Sequence, residues 1–218
     1  MTLKILFTGF GRFPGAASNP SAALAARVAK RRRPAFADVE RIAHVFPTSY
    51  AAVDRELPAL IEKHHPDAVV MFGLAGRTPH VRIETLARNR ITPVFPDVDG
   101  VVPSSTRIAL PSNGPRRGRA PFRNLLAAAK QTGVKAALSR DAGSYLCNYG
   151  YWRAIEAGAK PDGPRLVVFV HIPKVRTGPR PRKRRPMMSM AKLLRAGEAI
   201  GLAAISALRR PTAPSPVQ

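Results

Sequence analysis

Leu166-Val-Val-Phe-Val-His171 is an apolar run of strand length that ends on a titratable side chain. Leu166 to Val170 reads as a buried strand, with His171 at its end. Working outward, apolar strands are expected at Ala68 to Phe72 and at Thr2 to Phe7, with further strands at Asp38 to Phe46 and near Val134 to Leu138. Helical patterns lie between them. Asn19 caps a helix with Pro20 at its first position, running to about Arg33. Tyr50 to His64 is amphipathic, and Ala120 to Gln131, Asn148 to Ala157 and Ser189 to Leu208 complete the set. Strands alternating with helices predict a single α/β domain, a mostly parallel twisted sheet with helices on both faces. The domain is expected over residues 1–210, with a flexible Pro-rich tail at 211–218. Residues 80 to 88 have no clear assignment, and Thr92 to Gly118, rich in Pro and Gly, reads as a long irregular excursion.

Sheets of this kind bind ligands outside the carboxyl ends of their strands. Thr8-Gly9-Phe10, Gly73-Leu74 and His171 directly follow expected strands. Three segments far apart in sequence therefore converge on one edge.

The bulk properties bound the answer. The 218 residues are 45% hydrophobic, enough for one sizeable core. No apolar run approaches the ~20 residues that span a bilayer, and the apolar stretch at the N-terminus is too short for a secretory signal. A single cysteine excludes an internal disulfide and suits a reducing compartment, so a cytoplasmic protein is expected. The formal charge is +23, with seven basic residues from Lys174 to Arg185 and further runs at Lys30 to Arg33 and at Arg116, Arg117 and Arg119. Such runs can bind polyanions non-specifically. They lie in Pro/Gly-rich loops or at a helix end with little aromatic interleaving, which favours a solvated basic surface. One cysteine and scattered histidines give no metal-ligand spacing. Gly9-Phe-Gly-Arg-Phe-Pro-Gly15 fails the dinucleotide fingerprint, because its third glycine comes one residue late and Pro14 interrupts. No cofactor is expected.

The chemistry-bearing candidates are Cys147, His171 and Glu84. A thiol, an imidazole and a carboxylate are the parts of a cysteine hydrolase. Each has a plainer alternative. A lone cysteine is usually an inert small hydrophobe. A strand-end histidine is more often structural, and Glu84 could form a surface ion pair with Arg82 or Arg88. Two features favour the chemical role. Ala142-Gly143-Ser144 is turn-like, and the helix expected from Asn148 places the sulfur near a helix N-terminus, where a lowered thiol pKa is expected.

The segments around these residues resemble one family, pyroglutamyl peptidase I. Ala142-Gly-Ser-Tyr-Leu-Cys-Asn148 is similar to its A-G-T-[FY]-x-C-N motif, and His171-Ile-Pro173 to its H-[VI]-P. Gly73, Ala75, Gly76, Glu84, Ala87 and Asn89 resemble its glutamate motif; Thr8-Gly-Phe10, Phe13 and Asn19-Pro-Ser21 resemble its opening. The resemblance implies an exopeptidase that removes N-terminal pyroglutamate, with Cys147, His171 and Glu84 catalytic. It also implies that Phe10 and Phe13 sandwich the lactam, that Leu74, Tyr145 and Leu146 are pocket neighbours, and that the chain assembles as a dimer or tetramer. Leu74, Arg77, Thr78 and Val94 depart from the family pattern, as does the basic stretch after Pro173. Two alternatives follow: a thiol amidohydrolase with another small acyl or amide substrate, and a catalytically impaired basic protein touching RNA.

Overall fold

The apolar runs form the middle of a six-stranded sheet in a computed structural model that describes residues 2–13, 16, 18–111, 114–176 and 188–210. In chain order the elements are β1 (Leu3–Phe10), α1 (Pro20–Ala29), β2 (Val39–Phe46), α2 (Tyr50–His64), β3 (Ala68–Leu74), β4 (Val81–Glu84), β5 (Leu86–Ala87) and β6 (Arg116–Arg117). They continue with α3 (Phe122–Gln131), β7 (Ala136–Ser139), α4 (Leu146–Gly158), β8 (Leu166–Ile172) and α5 (Met190–Arg209). The sheet order is β2-β1-β3-β8-β4-β7, and β5 pairs with β6 in a separate ribbon. Neighbours in the main sheet are parallel except β4 and β8, which run antiparallel.

The strands alternate their side chains between two cores. Ile5, Phe7, Val70, Phe72, Val168 and Val170 pack under α1, α3 and α5. Leu6, Phe10, Val69, Met71, Val167 and Phe169 pack under α2 and α4. Each large buried apolar side chain contributes about 1.5–3 kcal/mol, so these two faces hold the sheet between its helix layers. Helix starts follow local chemistry. Asn19 accepts from the Ser21 amide ahead of Pro20, Ser49 from Ala52, and Ser189 from Lys192.

Several boundaries differ from expectation. β1, β3 and β8 run two or three residues further, because parallel pairing carries on through Phe10↔Phe46 and Gly73↔His171. The candidate residues therefore end the strands rather than follow them. α1 stops at Ala29, short of Arg33. α4 begins at Leu146, so Cys147 lies inside its first turn. Residues 80 to 88, unassigned from sequence, supply β4 and β5. The expected tail, residues 177–185 of the basic run, and Pro14 and Gly15 lie outside the described residues. Among the described residues, no helix is long and apolar enough to cross a membrane.

Candidate active site

The site is built on the sheet face covered by α4. In β8, His171 follows Phe169 by two positions and shares its face. The antiparallel register sets Arg82 opposite His171 and Glu84 opposite Phe169, so the side chains of β4 at 82 and 84 flank the imidazole. Across the parallel edge, Gly73 of β3 is in register with His171. A side chain is excluded there: a Cβ on Gly73 would lie 2.8 Å from Cys147 Sγ and 2.6 Å from the Phe169 ring. Gly73 thus lets the first turn of α4 bring the thiol down onto the strand ends.

Glu84 is fully buried, not a surface residue. Its Oε1 lies 2.8 Å from His171 Nδ1, and its Oε2 accepts from the Asp141 amide at 3.3 Å. Arg88, the other partner considered from sequence, pairs instead with Asp141. With Nδ1–H donating to Glu84, the lone pair of His171 sits on Nε2. The ring of His171 is 4.9 Å from that of Phe169, tilted by 57°. Among the described residues no hydrogen bond joins the thiol to the imidazole, a bond that in free enzymes often forms only with substrate.

Cys147 and His171 line one cavity of about 160 Å³. Phe10, Phe13, Leu74, Tyr145 and Leu146 line it too, so every candidate except Glu84, which stands behind His171, meets there. The cavity is smaller than the ~300–1,000 Å³ of pockets for drug-sized ligands. Larger concavities exist, including one of about 840 Å³ bordered by Arg88, Arg90, Arg107 and Arg140, but neither the thiol nor the imidazole lines it. Phe10 is almost wholly buried and belongs to the core as well as the cavity. Phe13 is half-buried, its ring 6.2 Å from that of Tyr145. Val94 is exposed and does not line the cavity.

The electrostatics correct one expectation. A thiol at a helix start was expected to have a lowered pKa; instead burial, reinforced by the Glu84 carboxylate, pushes Cys147 up to about 12. Arg82 and a backbone hydrogen bond pull the other way without prevailing. The cause is packing: the residue is only partly exposed, closed in by Gly73 and the Phe169 ring. Burial also lowers the His171 pKa, and Arg82 adds to that, against Glu84 and Asp141. Burial thus favours the neutral form of both the thiol and the imidazole.

Residues without a role from sequence hold the frame. Asn148 accepts from the Arg88 amide and donates to the carbonyls of Arg88 and Arg90, tying the start of α4 to the segment after β5. Buried Asp97 accepts from the amides of Tyr50, Asp99 and Val101, and Tyr145 Oη donates to the Pro96 carbonyl. Gly143, at φ +85°, makes the turn before the thiol, its amide donating to Asp141.

An α/β sheet that gathers a thiol and a carboxylate-backed imidazole at its strand ends has the parts of a cysteine peptidase. The sequence profile of the pyroglutamyl peptidase family matches residues 3–209, and the chain belongs to that family. It is 30% identical to a pyrrolidone-carboxylate peptidase of Thermococcus onnurineus over 199 residues, covering 91% of this chain and 96% of that one. It is also 30% identical to the Bacillus subtilis pyrrolidone-carboxylate peptidase over 177 residues, 80% of each chain. The structure of pyrrolidone carboxyl peptidase from Thermococcus litoralis superposes with a TM-score of 0.84, at 25% identity and 94% coverage of both chains.

Proposed function

We propose that this chain removes N-terminal pyroglutamate from peptides, with Cys147 as nucleophile, His171 as general base and acid, and Glu84 holding His171. The carrying observation is that His171, bound through Nδ1 to Glu84, lines the same small cavity as Cys147. As Sγ attacks the pyroglutamyl carbonyl, its proton passes to Nε2. The two neutral groups thus become charged only in the reaction, and the buried Glu84 carboxylate stabilises the new imidazolium. The first turn of α4 has no side-chain cap, so its free N–H groups are donors for the developing oxyanion. Collapse breaks the C–N bond, and the imidazolium gives its proton to the departing amine. Water, activated by His171, then cleaves the thioester and frees pyroglutamate.

The lining supports a neutral acyl group. Among the described residues, no Asp, Glu, Lys or Arg lines the cavity. Asn19 Nδ2 and Thr48 Oγ1 each donate to the Gly11 carbonyl, and Asn19 Oδ1 accepts from the amide and hydroxyl of Ser21. A free N-terminal ammonium would be buried without a partner, at a cost of several kcal/mol, whereas a flat uncharged lactam fits between aromatic and aliphatic walls. Leu74 adds an apolar wall. Phe13→Ala is expected to weaken transition-state binding of a pyroglutamyl amide by about 1–3 kcal/mol, felt mainly as a raised KM. Steady-state kinetics on a fluorogenic pyroglutamyl amide measures this. Unchanged kcat/KM in Phe13→Ala would remove that ring from the slot.

A further inference from the structure

We propose that Arg82 is the fixed countercharge of the buried Glu84, leaving His171 as a neutral proton acceptor. This positioning role rests on the proposed chemistry above. Two positions before Glu84 on β4, Arg82 shares its face of the strand and stands opposite His171 in the antiparallel register. Its Nε lies 3.2 Å from Glu84 Oε1, and its Nη2 lies 3.2 Å from His171 Nδ1. Nη2 also approaches the Asp141 carbonyl at 3.4 Å, so the guanidinium is held at the loop before the thiol. Nε is buried and has no aligned hydrogen-bond acceptor, so the contact with Glu84 is one of charge more than of hydrogen-bond geometry.

A fully buried carboxylate needs positive charge nearby. Two groups could supply it: the imidazole, by taking up a proton, or a permanent cation. If His171 supplied it, the resting base would already be protonated and could not accept from the thiol. Arg82 is always charged, and by occupying that role it spares the imidazole. Among the described residues, the charged and titratable groups around the ring are Glu84 and Arg82 from β4, Asp141 from the loop after β7 and Cys147 from α4. β3 offers only Gly73 and Leu74 there. Arg82 is the cation among them, and its removal leaves only groups that favour or tolerate the imidazolium. The lowering of the His171 pKa by Arg82, second to burial in that direction, has the matching sign.

The test compares wild type with Arg82→Met and Arg82→Lys, with Arg82→Gln in reserve should the Met variant fail to fold. Two readouts are taken: the pH profile of kcat/KM on a pyroglutamyl amide, and the NMR titration of the His171 ring in the free enzyme, assigned by its loss in His171→Gln. Loss of the cation is expected to raise the His171 pKa and move the acid limb upward by about one pH unit. Activity then falls about tenfold below the limb, and the deficit relative to wild type shrinks as the pH rises above it. Lysine is expected to restore most of the shift. An unmoved ring titration, or a pH-independent loss that lysine does not restore, overturns the proposal. The ring titration needs no turnover, so an inactive wild type would refute the pyroglutamyl assignment and still decide the role of Arg82.

Discussion

Cys147→Ala is expected to lower kcat/KM for a pyroglutamyl amide by at least about 10⁴-fold, the scale seen when one member of a catalytic triad is removed. The substitution keeps the Cβ and deletes only the sulfur, which lies where a side chain on Gly73 would point, so the fold should be intact by circular dichroism. Of the other hydroxyls that line the cavity among the described residues, those of Thr48 and Tyr145 are bound to the carbonyls of Gly11 and Pro96, and that of Ser144 has no hydrogen bond to His171. Activity within tenfold of wild type would exclude Cys147 as the nucleophile.

Glu84→Gln is the second large effect. The amide retains size and hydrogen bonding but loses the charge that stabilises the imidazolium, and its NH₂ can donate to Nδ1 and select the wrong tautomer. We expect kcat to fall by about 10³–10⁴-fold while KM changes only a few-fold, because Glu84 does not line the cavity that holds the substrate. Arg82 is a quarter exposed, so its guanidinium can turn towards water and the variant should still fold. Steady-state kinetics on the purified variant, with a thermal melt as control, measures both. Wild-type kcat in a folded Gln variant would remove Glu84 from the reaction.

Much of this was legible in the residues. The apolar runs at Thr2, Ala68 and Leu166 mark three strands that stand side by side, and their ends bring Phe10, Gly73 and His171 together. The rest depended on partners that local sequence does not reveal. β4 is four residues long, and its periodicity is too short to read. Its antiparallel pairing with β8 places Arg82 and Glu84 on either side of His171, so a pair that looked like surface charge closes on the imidazole, with Glu84 fully buried. The thiol shows the same limit. Its place near a helix start was visible, but its ionisation follows its burial and the Glu84 carboxylate, which depend on strands distant in sequence. A helix end alone gives the wrong sign for its pKa.

The central claim is that a neutral lactam, and not a free amine, is the group this cavity accepts. The direct measurement is kcat/KM for matched pyroglutamyl-, prolyl- and glutaminyl-amide substrates at neutral pH. Burying an unpartnered ammonium costs at least about 3 kcal/mol, so the pyroglutamyl substrate should be preferred by at least about 100-fold over both others. Equal or greater turnover of the prolyl or glutaminyl amide would contradict the account and leave only a thiol hydrolase of other specificity.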